Sequence, residues 1–243
     1  DRRLVHDVIY DELCVGVLDD RSRAEYRRIM SELADRFAVG NLLGFTEIDL
    51  VAHCGESGDG EFAHSLNLTD IHTTWVETRA VLGRGQYAVQ EALEEMRQVL
   101  PFRLQGIDSD NGSEFLNAHL IGYCQRQSIQ FTRGRPYKKD DNAHIEQKNW
   151  THVRRLLGYV RYDAPAAVAA MNALYRQELR LMMNLFQPSV KLIRKERVGS
   201  RLKRVYDLPQ TPLDRLGKIR GKKDLDRAAV EALLRLRATT DPF

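Results

Sequence analysis

DNGSEF, at residues 110–115, is the stretch on which the interpretation of this 243-residue chain depends. It lies between two other carboxylates, Asp49 in an apolar, strand-like run and Glu146 in a helix-like segment, and 35 residues separate Asp110 from Glu146. Carboxylates on a first strand, at the end of a later strand and on a helix can meet at one end of a sheet. There they can hold two divalent metals about 3.5–4 Å apart. The pattern therefore predicts a two-metal site for chemistry at phosphorus.

The order of predicted elements indicates an α/β fold with a mixed sheet. Short runs rich in β-branched and aromatic residues predict strands at residues 45–55, 61–69, 75–82, 102–108 and 129–132. Helical spacing of apolar residues predicts helices at residues 87–100, from 113 onward, 140–158, 164–186 and 224–236, with a linker at 209–212. Ser113 is the predicted N-cap of the second helix.

Three motifs carry a resemblance to a known family. They are FTEIDL at residues 45–50, IDSDNGSEF at 107–115, and RPY at 135–137 followed by NAHIEQKN at 142–149. Over about residues 45–206, the chain resembles the retroviral-integrase-like catalytic core of bacterial DDE transposases. The resemblance implies an RNase H-like fold, a mixed five-stranded sheet flanked by helices. It also implies that Asp49, Asp110 and Glu146 are the catalytic, metal-binding triad; Asp108, on the same strand face as Asp110, is the alternative ligand.

The resemblance also implies an activity, a cofactor and partners. All-oxygen ligation suits Mg²⁺ or Mn²⁺, and two ions are expected. The family's activity is hydrolysis of a phosphodiester followed by strand transfer, which integrates an insertion sequence into DNA. The expected partners are double-stranded DNA, as element ends and target, and further copies of the chain in a homo-oligomer on DNA. The target sequence, the terminal repeats and the oligomeric state do not follow from the sequence.

Two other functions fit parts of the same pattern. A nuclease of the same fold would only hydrolyse DNA, without strand transfer. A degenerate remnant would bind DNA without catalysis, and the absence of a helix-turn-helix module before residue 45 suits that alternative. A 3′-hydroxyl substrate distinguishes strand transfer from hydrolysis, and a product that depends on Mg²⁺ distinguishes both from a remnant.

Charge is distributed unevenly along the chain. Residues 45–133 carry 6 Lys/Arg against 13 Asp/Glu, whereas residues 134–243 carry 24 against 12. An acidic middle suits metal capture, and a basic C-terminal half suits a polyanion. On the helix of Glu146, the predicted nucleic-acid contacts are Asn142, Asn149, Arg154 and Arg155. In the basic run that follows, they are Lys191, Arg194, Lys195, Arg197, Arg201, Lys203 and Arg204.

Cysteine usage and hydropathy predict a cytoplasmic protein. The three cysteines are odd in number and widely spaced, so they form neither a disulfide framework nor a zinc signature. No stretch approaches the roughly 18 uninterrupted apolar residues that a membrane-spanning helix needs, and no signal peptide precedes the first charged residues. We therefore expect no membrane partner.

The first 48 residues carry a second resemblance. Residues 8–16, 22–29 and 42–48 are similar to the C-terminal part of aspartate/glutamate racemases. Phe45 stands where that family has a catalytic cysteine, and the half-domain of the partner cysteine is missing. Racemase activity is therefore not expected. The predicted organisation is a helix-rich appendage at residues 1–44, a catalytic core at 45–160, and a helical, basic extension at 161–243.

Overall fold

The computed structural model describes residues 42–110, 115, 117–133, 145, 148–198, 201–221 and 223–242. Apart from Leu42, these residues belong to one compact unit, Leu43–Phe243. Of the predicted appendage, only residues 42–44 are described. The motif residues Asn142 and Glu146 and the predicted cap Ser113 also lie outside the described residues.

Five strands form one mixed sheet. They are β1 (Phe45–Ala52), β2 (Ala63–Asp70), β3 (Val76–Leu82), β4 (Gly106–Ser109) and β5 (Gln130–Arg133), in the spatial order β3-β2-β1-β4-β5. The first three pair antiparallel as a meander, and β4 and β5 continue parallel to β1. A parallel neighbour needs a long crossover, which a helix supplies before β4 and again before β5. This is the RNase H-like sheet, and the predicted fold class is confirmed.

Helices precede and follow the parallel strands. They are α1 (Gln86–Val99), α2 (Ala118–Arg126), a π-helical segment (Asn149–Arg154) that continues into α3 (Arg155–Leu157), α4 (Pro165–Arg176), α5 (Glu178–Leu181) and a second π-helical segment (Met182–Phe186). The helix predicted over residues 164–186 is interrupted at Gln177, whose φ of −116° and ψ of −95° are not helical. The N-cap of α2 is Asn117, whose Oδ1 accepts a hydrogen bond from the Leu120 N–H at 2.9 Å.

The C-terminal part combines a β-hairpin with two helices. The hairpin consists of β6 (Leu192–Val198) and β7 (Arg201–Tyr206), and α6 (Pro212–Lys218) and α7 (Arg227–Thr239) follow. The basic run therefore forms strands rather than part of a helical extension. The predicted linker at 209–212 overlaps the start of α6. Thr211 is the N-cap of that helix, and it forms a capping box with Asp214.

The two faces of the sheet differ in chemistry. Successive residues of a strand point to opposite faces. One face is mainly apolar and belongs to the main core with α1 and α2; its sheet members include Ile48, Leu66, Leu68 and Ile107. On the other face, Ala63 and Ala80 pack against Met171 and Tyr175 of α4. Further positions of that face in β1, β2 and β3 are polar, among them Asp49, Asn67 and Thr78.

Gly44 sets the approach of β1 to β4, and its replacement is the first test of the fold. Its φ is +86°, and a Cβ atom at this position would lie 2.2 Å from the Arg103 carbonyl oxygen. We expect Gly44→Ala to lower the free energy of unfolding by about 2–5 kcal/mol, since steric overlap adds to left-handed backbone strain. Urea denaturation measures this change. The control is Gly217→Ala, because a Cβ atom at Gly217 in α6 meets no atom within 4 Å. A neutral effect or a gain of up to about 1 kcal/mol is expected there. Equal losses in both variants would contradict the role of Gly44.

Candidate active site

Asp49 and Asp110 occupy corresponding positions on neighbouring strands. In the parallel pair of β1 and β4, Ile48 lies opposite Ser109, and Asp49 and Asp110 are the next residue of each segment. Adjacent strands run about 4.8 Å apart, and residues in parallel register face the same side of the sheet. Both aspartates are half-buried. The structure therefore brings two of the three predicted ligands to one place, and that place is on the polar face.

Two hydrogen bonds attach the segment that contains Glu146 to β1. The Ile145 N–H donates to Glu47 Oε2 at 2.8 Å, and Asn149 Nδ2 donates to Asp49 Oδ2 at 2.6 Å. Ile145 is buried, and so is Glu47. Glu146 lies outside the described residues, so its role as the third ligand stays a prediction. The residues that flank it are held against the strand that carries Asp49.

A chain of side-chain hydrogen bonds crosses the polar face and ends on Asp49. Thr78 Oγ1 donates to Asn67 Oδ1 at 2.7 Å, and Asn67 Nδ2 donates to Asn149 Oδ1 at 2.6 Å. Asn149 then donates to the carboxylate, as described above. Every donor in the chain points towards Asp49, and Leu50 N–H adds a bond to Asp49 Oδ1 at 2.8 Å. Such a chain fixes the orientation of both amides and of the carboxylate.

Asn149 therefore has a different environment from the one predicted. The sequence suggested that its amide meets DNA, because it shares a helix face with Glu146. The structure turns this face towards β1 and β2, where the amide bonds Asp49 and Asn67. Asn67 and Thr78 were missed in the sequence. Polar residues alternating along a strand otherwise bounded by leucines, at positions 65, 67 and 69, are the signal that could have revealed them.

Asp108 also lies on this face but has its own partner. It stands in register with Glu47 on β1 and with Thr132 on β5. Thr132 Oγ1 donates to Asp108 Oδ1 at 2.6 Å. Within the described part of the chain, no three His, Cys, Asp or Glu side chains are grouped closely enough to hold a metal ion. The described residues thus supply two carboxylates of the predicted set, and Asp108 accepts a hydrogen bond from β5.

The helical segment at residues 148–157, which we call the site helix, carries two buried basic groups. Burial, together with the neighbouring Arg215 charge, lowers the pKa of Lys148 to about 8. Burial also lowers the pKa of His152 to about 3, with a second contribution from Lys148. His152 is therefore neutral at physiological pH, and Thr151 Oγ1 lies 2.7 Å from its Nδ1. Neither group was predicted to belong to the site.

The predicted DNA-contacting cations fall into two groups. Arg154 is half-buried, with its guanidinium over the Tyr159 ring at 4.6 Å, whereas Arg155 is exposed. Lys191 is used inside the fold, because its Nζ donates to the carbonyl oxygens of Ile71 and His72, each at 2.7 Å. Burial lowers the pKa of Lys191. The exposed cations of the basic run are Arg194, Arg197, Arg201, Lys203 and Arg204, and Lys195 is described through its backbone only.

Comparison with known proteins finds related sequences and similar structures. No protein-family model matches the chain. The uncharacterized protein y4rM of Sinorhizobium fredii is 45% identical over 176 residues, which is 72% of this chain and 50% of that protein. The chain thus spans about half the length of this relative.

Viral integrases are among the similar solved structures. The catalytic core domain of BIV integrase has a TM-score of 0.44 at 15% identity, covering 60% of this chain and 86% of that one. The HTLV-2 integrase catalytic core domain in complex with magnesium has a TM-score of 0.43 at 14% identity, covering 62% and 92%. The simian T-cell lymphotropic virus intasome reaches 0.46 at 14% identity, covering 60% and 50%. The fold assignment rests on the strand order given above. None of the described helices has the length and apolar content for crossing a membrane.

Removing Thr78 Oγ1, the first donor in the series of hydrogen bonds that ends on Asp49, tests whether these bonds stabilise the fold. Thr78→Val keeps the shape of the side chain and leaves Asn67 Oδ1 without its donor. Thr78 is 4% exposed. We expect a loss of about 1–3 kcal/mol in the free energy of unfolding, the cost of an unsatisfied buried polar group. Thr132→Val makes the same change at an exposed position, where about 0.5 kcal/mol or less is expected. Similar small losses of unfolding free energy in both variants would show that these hydrogen bonds do not stabilise the polar face.

Proposed function

We propose that this chain is the catalytic part of a DNA transposase or integrase that performs Mg²⁺-dependent phosphodiester hydrolysis and strand transfer. One observation carries the proposal: Asp49 and Asp110 take matching positions on parallel strands. Beside them, the residues that flank Glu146 are bonded to β1. The distribution of charge supports a DNA substrate, because the basic C-terminal half follows an acidic middle.

Asp49, Asp110 and Glu146 are the residues that would hold two Mg²⁺ or Mn²⁺ ions. The donor set fits, because carboxylate oxygens are the ligands that these cations prefer. When bound, such a metal pair supplies an activated nucleophile and stabilises the leaving oxygen. Whether the whole protein acts as a homo-oligomer on element ends and target DNA is part of the same proposal.

The chain's own contribution is to orient the carboxylates before DNA arrives. Asn149 holds one oxygen of Asp49, and the Leu50 N–H holds the other. Partners of this kind keep a ligand's orientation, and their removal typically costs about 10- to 100-fold in metal affinity or activity. We therefore assign Asn149 a positioning role, and we leave phosphate contacts to the exposed cations.

The first functional test replaces the second aspartate. Asp110→Asn keeps the shape and removes one negative charge, so cleavage of a labelled duplex with Mg²⁺ should fall by orders of magnitude. Binding of the duplex should remain. The matched control is Asp108→Asn, which makes the same change two residues earlier and should keep most of the activity. Gel analysis of the products, with and without Mg²⁺, measures both.

Each other outcome has a defined meaning. Loss of cleavage in Asp108→Asn with retention in Asp110→Asn would move the metal ligand to Asp108. A wild-type chain that binds DNA but gives no product with Mg²⁺ would be a non-catalytic remnant. Products of hydrolysis without joining of a supplied 3′-hydroxyl end would restrict the activity to that of a nuclease.

The second test separates positioning from DNA contact on one helix. Asn149→Ala should slow cleavage at saturating DNA by about 10- to 100-fold and raise the Mg²⁺ concentration that gives half-maximal rate. Its Kd for duplex DNA should stay within about twofold of wild type, because no phosphate contact is lost. Arg155→Ala should do the reverse and weaken binding while keeping the rate at saturation. A large rise in Kd for Asn149→Ala with an unchanged Mg²⁺ dependence would return this residue to the DNA interface.

A further inference from the structure

The β6–β7 hairpin leaves the body of the protein with both faces exposed. Residues paired across an antiparallel hairpin share a face. The pairs Leu192–Tyr206 and Arg197–Leu202 therefore lie on the same face as Arg204. We call this the Tyr206 face, and its described side chains are all exposed. The opposite face carries Arg194, Glu196, Arg201, Lys203 and Val205.

Hydrogen bonds hold the base of the hairpin, in contrast to residues 192–206, which we call the arm. The Lys191 N–H donates to Asp207 Oδ1 at 2.6 Å, and the Asp207 N–H donates to the Lys191 carbonyl at 2.9 Å. Arg215 pairs with Asp207 and donates to the Ser189 carbonyl at 2.7 Å. Lys191 also reaches the loop after β2, as described above. The arm is therefore held in a defined place on the catalytic unit.

The anchor is connected to the strand that carries Asp49. Ile71, which accepts from Lys191, donates its own N–H to the Phe45 carbonyl at 2.9 Å. Phe45 precedes Asp49 by four residues on β1, a distance of about 13 Å along a strand. A duplex held by the arm would therefore remain within reach of the carboxylates.

Four cations of the arm have no partner among the residues that the structure describes, although Arg194 pairs with Glu196. Residues 192–206 contain six Lys/Arg and one Asp/Glu. Arg197, Arg201, Lys203 and Arg204 make no hydrogen bond or ion pair with a described residue. Lys195 and Arg204 stand directly opposite each other. Like charges in that position destabilise a ladder, and a lone two-stranded hairpin is marginal in water. A polyanion that covers the arm would relieve both costs.

We propose that the Tyr206 face of the hairpin enters the major groove of duplex DNA, with Arg197 and Arg204 directed at the bases and phosphates of that groove. The major groove is about 12 Å wide and admits a two-stranded ribbon, whereas the minor groove, at about 6 Å, does not. Leu202, 53% exposed, and Tyr206, 49% exposed, give this face apolar contacts that suit thymine methyl groups. This inference rests on the proposed function in taking DNA as the ligand.

The test compares two double variants of the full chain that lose the same charge from opposite faces. Arg197→Gln with Arg204→Gln alters the Tyr206 face, and Arg201→Gln with Lys203→Gln alters the other. Binding to a labelled mixed-sequence duplex is measured by fluorescence anisotropy over a salt series, with EDTA present so that catalysis plays no part. The first variant should bind at least tenfold more weakly, and its log–log salt slope should flatten by up to about 1.8. The second should stay within about threefold of wild type. Methyl green, which occupies the major groove, should compete with the wild type, and distamycin, which occupies the minor groove, should not.

Several results would overturn the inference. Equal weakening of DNA binding by both variants would mean that the two faces of the arm contribute alike and that the Tyr206 face has no special contact with the groove. No weakening by either variant would remove the hairpin from the interface, and cleavage that still requires Asp110 would leave the proposed function intact. Absence of duplex binding by the wild type would defeat both proposals. If the Tyr206-face variant loses binding to phosphatidylserine vesicles, or changes the oligomeric state in sedimentation, while DNA binding is unchanged, the face meets a membrane or a second copy instead.

Discussion

The pairing of β1 with β2 on one side and β4 on the other is the constraint on which the site depends. The register places Asp49 opposite Asn67 and one residue beyond the Ile48–Ser109 pair. A slip of one residue would move every side chain of the strand to the other face. Asp49 would then point into the apolar core with α1 and α2, where an unpaired carboxylate is costly. The apolar residues that alternate with the carboxylates therefore also define where the carboxylates point.

The polar groups of the polar face would be destabilising if they were buried without hydrogen-bond partners, and amide side chains supply these partners. Asn67 is fully buried, and a buried amide costs free energy unless its donors and acceptors are used. Thr78 satisfies its oxygen, and Asn149 accepts from its nitrogen. The site helix is thus needed to complete the polar face, and the polar face holds the helix. The same hydrogen bonds of Asn149 therefore stabilise the sheet and orient Asp49.

The catalytic unit and the basic arm represent two different uses of charge. In the sheet, Asp49 and Asp108 are half-buried and have described partners, Asn149 for Asp49 and Thr132 for Asp108. In the β6–β7 hairpin, Arg194, Arg197, Arg201, Lys203 and Arg204 are exposed, and positions 195 and 204, both cationic, pair across the ladder. An acidic centre suits a cation, and an exposed basic ribbon suits a phosphate backbone. The tie at Lys191 and Asp207 fixes the position of one relative to the other within the same compact unit.

The sequence by itself determined the fold class, five of the strands to within a few residues, and the places of Asp49 and Asp110. The α/β class and the strands follow from local signals, namely period-two alternation and turn residues, whereas the RNase H-like fold and the places of the two aspartates followed from the family resemblance and the motif spacing. The break at Gln177, the hairpin in the basic run and the cap at Asn117 depend on packing or on competing turn signals, and only the structure revealed them. The same holds for Asn149. Its helical position predicts which face it shares with Glu146, but only tertiary structure decides whether that face meets DNA or a strand. Hydrogen bonds between residues 82 and 100 positions apart, such as those of Asn149, leave no local pattern in a single chain.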